Sequence, residues 1–341
     1  MGEYFDLIME PTKNSFPYYF NTCWSRQLDQ MAKPYSDALQ LRIGNQLRPK
    51  LTCWGAALNT NHPDELDLNA IAEIASYIEM LHKASIIIDD MIDGDDARHG
   101  EKTFHVEFGR DKATIFALCL LGKGTEGINK VFQPMESHFS SVALYSNTIH
   151  NMAMGALEEL NLNTASRYDI SKIRRIIKLE TISLIKDSFL LGYWSNCNGT
   201  SDVESVIMEI GDNCGFIFQI LNDLEPFSSL EKNIAYKGGM NLDINRKRKS
   251  IVVAYIFNAA SVKEKLLLLN EAGTELQDHI LRLYEKYSVF DRICEEARAI
   301  EQDTLRLVNK LRKISSYTGS IDDFEAFILQ MIKICFSKLG Q

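Results

Sequence analysis

An all-α fold is predicted for this 341-residue chain by three features: its proline usage, the period of its apolar residues, and the residues that separate the periodic segments. Of seven prolines only Pro226 lies beyond Pro134, and proline is the residue least compatible with a helix interior. From Leu68 to Asp93 the sequence LNAIAEIASYIEMLHKASIIIDDMID places apolar residues three and four apart, the spacing of one helix face. Segments 111–121, 141–160, 170–194, 201–225, 248–258, 261–287, 289–312 and 321–338 repeat that period. Between them NTNHPDE (59–65), GDDARHGEKT (94–103), GKGTEG (122–127), NCNGTSD (196–202) and SSLEKNIAYKGGMN (228–241) read as breakers. With 45% hydrophobic residues and no repeat or long linker, one domain over 1–341 is expected, with about ten or more helices.

Composition narrows the function. A net charge of −9 provides no basic field for nucleic-acid phosphates. Seven cysteines stand singly at 23, 53, 119, 197, 214, 294 and 335, without a CxxC pair, and read as reduced thiols of a cytoplasmic protein. The start, MGEYFDLIME, has no basic segment before an apolar one, and Asp6 stands where myristoylation needs Ser or Thr. No apolar run approaches the roughly 18–20 residues that span a bilayer.

Chemistry concentrates in IIIDDMIDGDDARHG (86–100). On a helix Asp89 and Asp93 share a face, with Asp90 about 100° round. Like charges at this spacing repel by roughly 0.2–0.5 kcal/mol, and the C-terminal end of a helix further disfavours anions. Something cationic must offset both penalties, and a hard divalent ion that bridges carboxylates to a substrate phosphate would do so. A solvated turn is the plainer alternative. Asp95 and Asp96, after Gly94, read as turn residues.

The surrounding motifs resemble those of the trans-isoprenyl diphosphate synthase (polyprenyl synthetase) superfamily. DDMID followed by ARHG and TFH (103–105) resembles its DDxxD, RRG and TxxH run. GNQLRP (44–49) resembles its GGKRLRP, and EMLHKAS (79–85) its ExxHxxS. GFIFQILNDL (215–224), which includes Gln219, resembles its second aspartate region AFQxxDDxxD, and LDINRKRKS (242–250) its DLxxGKxT loop. The resemblance implies a helical bundle around a deep central cavity. Two or three Mg²⁺ ions bridge its two acidic helices to an allylic prenyl diphosphate, which ionises. Fixed charges stabilise the leaving diphosphate and a dry cavity shelters the cation. By the same resemblance Asp89, Asp90, Asp93, Asn222 and Asp223 are metal ligands, and Gln219, Arg98 and Arg248 belong to the diphosphate side. Arg248 also reads as a solvated charge in RKRK (246–249). The family commonly forms homodimers.

The departures weigh on the reaction. The second motif is NDLEP, with Pro226 in place of the third aspartate and Glu225 one residue away. The family holds isopentenyl diphosphate through four positions that are here Asn45, Arg48, His82 and His99, so one cation is lost and another becomes a histidine. Each charge-assisted contact contributes roughly 1.5–3 kcal/mol. The family's mid-chain Lys-Thr pair is Glu180-Thr181, and Lys178 cannot replace the lysine by sliding, because two residues turn a helical side chain about 200°. Ala84 and Ser85, before the first motif, are small and permit a C15–C20 or longer chain, or serve ordinary packing.

Asn45, His99, Glu180 and NDLEP favour an enzyme that ionises a prenyl diphosphate but does not elongate it, a cyclase or a prenyltransferase to another acceptor. DDMID, Arg48 and His82 support the alternative, a synthase that elongates with isopentenyl diphosphate. A non-catalytic partner subunit is the third reading, and the intact DDMID argues against it.

Overall fold

The computed structural model describes residues 15–42, 44, 46–62, 66–98, 100–163, 168–196, 201–224, 227, 250–271, 273–315 and 318–339. Helices α1 (Phe16–Leu28), α2 (Tyr35–Leu41) and α3 (Leu47–Ala57) precede the long α4 (Leu68–Asp93). A two-residue hairpin, β1 (Ala97–Arg98) and β2 (Glu101–Lys102), leads to α5 (Phe104–Phe108), α6 (Arg110–Phe132), α7 (His138–Asn163) and α8 (Ile170–Ile177). A π-helical turn over Lys178–Ile182 runs into α9 (Ser183–Trp194), followed by α10 (Ser201–Leu224) and α11 (Ile251–Ala259). The described order ends with α12 (Val262–Asn270), α13 (Gly273–Lys286), α14 (Val289–Ile314) and α15 (Thr318–Leu339). No helix among the described residues is long and apolar enough to cross a membrane.

Helix α4 is the axis of this arrangement. The Asp67 side chain caps its first turn by accepting from the Asn69 and Ala70 amides, and Gly94 closes it at φ +65°. Its 26 residues span about 39 Å, and α1, α3 and α6 pack around it. One hydrophobic cluster joins α1, α3, α4, α6, α9, α10, α14 and α15, with Trp24, Trp54, Phe189 and Phe324 fully buried. A second joins α8, the end of α10, α11, α13 and the start of α14.

The structure corrects three expectations. GKGTEG does not break the chain but lies inside α6, where a Cβ on Gly124 or Gly127 would run into Tyr145 or Tyr77. The glycines serve close packing there, and the Tyr145 hydroxyl donates to the Tyr77 carbonyl at 2.8 Å. Segment 170–194 is not one uniform α-helix, because the π turn interrupts it. Segment 261–287 divides into α12 and α13, and a capping box of Ser261 and Glu264 starts the first of them. Helices α1–α3 had no counterpart among the periodic segments.

One buried carboxylate makes stability depend on pH. Asp187 on α9 is 3% exposed; one oxygen accepts from Thr148 Oγ1 of α7 at 2.6 Å, and the other has no hydrogen-bond partner among the described residues. Burial pushes its pKa up to about 6. A carboxyl whose folded pKa is raised stabilises the fold fully below its unfolded value near 4, and that contribution is lost as pH rises through about 6. Between pH 4.5 and 7.5, Asp187→Asn is therefore expected to gain roughly 2 kcal/mol relative to wild type in urea unfolding. An effect of Asp187→Asn that is the same at both pH values would refute this.

Candidate active site

The first acidic group sits on the last turns of α4. Asp90 is buried, Asp93 half-buried, and the Asp89 side chain is 46% exposed. The hairpin then returns Arg98 beneath them: Nε donates to Asp90 Oδ1 at 2.8 Å, and Nη2 lies 2.7 Å from the same oxygen and 3.5 Å from Asp89 Oδ2. Arg98 is thus one cation offsetting the repulsion within DDMID. Burial raises the Asp90 pKa, and Arg98 only partly opposes it. A desolvated carboxylate beside a half-exposed one suits a hard divalent cation, and Mg²⁺ takes one or two such groups while water and phosphate oxygens complete its octahedron.

Asp95 and Asp96 form the turn, but Asp95 is buried rather than solvated. Its amide donates to the Asp90 carbonyl, and Thr103 ties both residues through their carbonyl oxygens. Thr103 Oγ1 also lies 3.2 Å from His105 Nδ1.

Arg48 and His82 meet 34 positions apart in sequence, Arg48 Nη1 lying 2.9 Å from His82 Nε2. Burial, then the positive charges of Arg48, Lys83 and Arg98, hold the imidazole pKa well below its usual value. His82 is therefore neutral, with Nε2 accepting from Arg48. Arg48 is itself buried, and desolvation brings its pKa down to about 10, still charged at neutral pH. Ala84 is fully buried and Ser85 half-buried, its hydroxyl donating to the His82 carbonyl.

The second group lies near the end of α10. Thr181 Oγ1 donates to Gln219 Oε1 at 2.6 Å, Gln219 Nε2 donates to Asp223 Oδ1 at 2.8 Å, and the Ile251 amide donates to Asp223 Oδ2 at 2.7 Å. This chain locks the side chain of Asp223, and the positive N-terminal end of α11 faces its charge. Nothing in the sequence motif revealed the Ile251 amide. Asn222 is half-buried beside it. Among the described residues no three His, Cys, Asp or Glu side chains gather as a ready metal cluster.

Glu180 occupies the lysine position, its Cγ only 2.5 Å from where a Cβ on Gly155 of α7 would sit. Lys178 points to α10, with Nζ 3.8 Å from Asp212 Oδ2. Asn45, His99, Glu225, Pro226 and Arg248 lie outside the described residues.

These helices and motifs define an isoprenoid-synthase-type bundle with two acidic helices. The family model described as Polyprenyl synthetase matches residues 29–287, and the chain belongs to that family. It is 26% identical over 205 residues to the geranylgeranyl diphosphate synthase of Saccharolobus solfataricus, covering 59% of this chain and 60% of that protein. The chain spans about three fifths of the length of the first curated relatives it matches. The fold superposes on the geranylgeranyl pyrophosphate synthetase of Pyrococcus horikoshii with a TM-score of 0.80 at 21% identity, covering 93% and 95% of the two chains. It superposes on the Corynebacterium glutamicum geranylgeranyl pyrophosphate synthase, complexed with isoprenyl diphosphate and magnesium, at 0.77 and 16% identity, covering 94% and 99%.

Proposed function

We propose that the protein is a chain-elongating prenyl diphosphate synthase that joins an allylic diphosphate to isopentenyl diphosphate. This reverses the preference drawn from Asn45, His99 and Glu180, which pointed to an enzyme without elongation. The observation that carries the reversal is the part-buried Arg48–His82 contact, which keeps two of the four acceptor-side positions in mutual register. The names of the relatives, synthases of geranylgeranyl and longer diphosphates, support it.

In this reading Asp89, Asp90, Asp93, Asn222 and Asp223 would hold the metal, with Arg98 on the donor diphosphate. Mg²⁺ supplies neutralisation of the leaving diphosphate's charge when bound. The allylic C–O bond breaks with both electrons on the diphosphate; the isopentenyl double bond attacks the resulting cation to form the new C–C bond, and the proton lost from the adduct passes to the released diphosphate. Arg48 and neutral His82 orient the acceptor, Thr181 and Gln219 hold Asp223 in place, and Ala84 and Ser85 leave room for the growing chain.

Two further parts of the reading follow. Helices α10 and α14 contribute to both hydrophobic clusters, which supports one working domain over 1–341. Ile115 and Leu118 on α6, with Phe139 and Leu157 on α7, expose apolar side chains (62%, 61%, 84% and 54%) that a second copy would cover in a homodimer. Cys23, Cys53, Cys119, Cys214 and Cys294 are free thiols, in keeping with a cytoplasmic enzyme.

Purified protein, with its mass measured by sedimentation, would be incubated with Mg²⁺ and geranyl, farnesyl or geranylgeranyl diphosphate, with and without isopentenyl diphosphate. The expected result is a longer prenyl diphosphate only when isopentenyl diphosphate is present. A hydrocarbon or alcohol formed without it would select the non-elongating reading, and no consumption of any substrate would select the partner-subunit reading.

A further inference from the structure

The Ile251 amide fixes one oxygen of Asp223, so the place of that carboxylate depends on where α11 begins. The first amides of a helix have no acceptor within it. Here Ser250 Oγ accepts from the Val253 amide, and Asp223 accepts from that of Ile251. Helix α11 has only nine residues and packs against α8, α10 and α14. A slide of one residue along its axis, about 1.5 Å, would take the Ile251 amide out of hydrogen-bond range.

A ring of three polar side chains opposes such a slide. Tyr255, one turn along α11 from Ile251, donates its hydroxyl to Glu296 Oε2 of α14. Arg174 of α8 closes the ring: Nη2 lies 2.5 Å from Glu296 Oε1 and 3.1 Å from the Tyr255 hydroxyl oxygen. Burial, then the Glu296 carboxylate, push the Tyr255 pKa up to about 12, so the phenol remains a donor at neutral pH. The Arg174 guanidinium also lies over the Phe216 ring of α10, with Cζ 4.9 Å from the centroid. Phe216 precedes Asp223 by seven residues, two helical turns, and shares its face. Two helices meet at Asp223: α10 carries it and α11 holds it. The ring grips each of them one or two turns from that meeting point.

We propose that Arg174, Tyr255 and Glu296 are positioning residues for metal binding: by locking α11 against α10 they keep the Asp223 carboxylate aimed for a divalent cation. The inference rests on the reading of Asp223 as a metal ligand. Outer groups that orient a ligand typically change metal affinity about 10- to 100-fold when removed.

Tyr255→Phe removes one hydroxyl and leaves both the aromatic packing and the Arg174–Glu296 ion pair. The full chain, with inorganic diphosphate present, would be titrated with Mg²⁺ while its thermal midpoint is followed. The Mg²⁺ concentration that gives half of the rise is expected to be about tenfold or more higher for Tyr255→Phe than for wild type. The Mg²⁺ requirement for turnover should rise in parallel. KM for isopentenyl diphosphate should stay within about threefold of wild type, because Arg48 and His82 stand on α3 and α4, outside the ring. A smaller shift in the Mg²⁺ titration overturns the assignment. So does a KM for isopentenyl diphosphate that rises as much as the Mg²⁺ requirement, the sign of general loosening. Should Tyr255→Phe fail to fold, Arg174→Met decides by the same titration and the same tenfold criterion. Asp223→Asn separates the two levels of the argument. If wild type shows no rise with Mg²⁺, or if Asp223→Asn titrates like wild type, the metal role of Asp223 is refuted and this inference with it. If Asp223→Asn shifts the titration and Tyr255→Phe does not, the positioning role alone is refuted. The thermal titration needs no turnover, so it decides the role of the ring even for an enzyme that elongates nothing.

Discussion

Asp90→Asn is expected to lower turnover by about a thousand-fold or more while leaving the thermal midpoint unchanged or raised. A metal at a leaving diphosphate contributes several kcal/mol, and loss of a single charge-stabilising group commonly costs 10²–10³ in rate. Asp90 is buried at the end of α4, and desolvation raises its pKa against the pull of Arg98. The folded state therefore gains nothing from ionising this group, and an amide of the same shape removes that penalty. Losing activity without losing stability distinguishes a site residue from a structural one. Asp96→Asn is the matched comparison: its side chain is exposed, and its part in the turn is played by its backbone carbonyl, which accepts from the Thr103 amide. Steady-state rates and thermal melts on the two variants test the division of the five aspartates. If Asp90→Asn retains more than about a tenth of wild-type turnover, the metal-ligand role is wrong.

That division was partly legible in the sequence, and the reason is range. The relation of Asp89 to Asp93 is set by helical period alone, so spacing sufficed. Arg98 approaching Asp90 needs the Gly94 turn and the hairpin, and Arg48 approaching His82 needs α3 to lie along α4. Neither contact follows from local pattern, and the family motifs named these residues without pairing them. The Ile251 amide on Asp223 was invisible, because a backbone donor leaves no residue signature. In the fold, periodicity found the helices that have one apolar face. It missed α3 because all eleven of its residues, Arg48, Lys50 and Thr52 included, are buried, and a helix buried on every side shows no stripe. GKGTEG misled for a different reason: glycine marks both turns and close approach, and only the positions of Tyr77 and Tyr145 tell them apart.

The same ambiguity underlies the largest stability effect expected, that of Gly192→Ala. Helices α3 and α9 cross with their backbones in contact. A Cβ on Gly192 would land on the Thr52 carbonyl oxygen, with the Thr52 carbonyl carbon at 2.8 Å, and a Cβ on Gly55 would land on the Phe189 carbonyl, with the Tyr193 amide at 2.9 Å. The obstacle in each case is the backbone of a buried helix, which cannot rotate away as a side chain would. Asn59 Nδ2 donates to the Tyr193 carbonyl at 2.9 Å and holds the crossing together. A methyl group at 192 must push the helices apart along a fully buried seam, so its helix-propensity gain of about 1 kcal/mol is outweighed. The expected net loss is about 3 kcal/mol or more, the range of severe overpacking. Because α3 carries Arg48, any separation also draws the guanidinium away from His82, and KM for isopentenyl diphosphate should rise with the loss of stability. Urea unfolding measures the first effect and steady-state kinetics the second. A destabilisation below about 1 kcal/mol would mean that α3 and α9 separate easily, and that the register of Arg48 and His82 does not depend on this crossing.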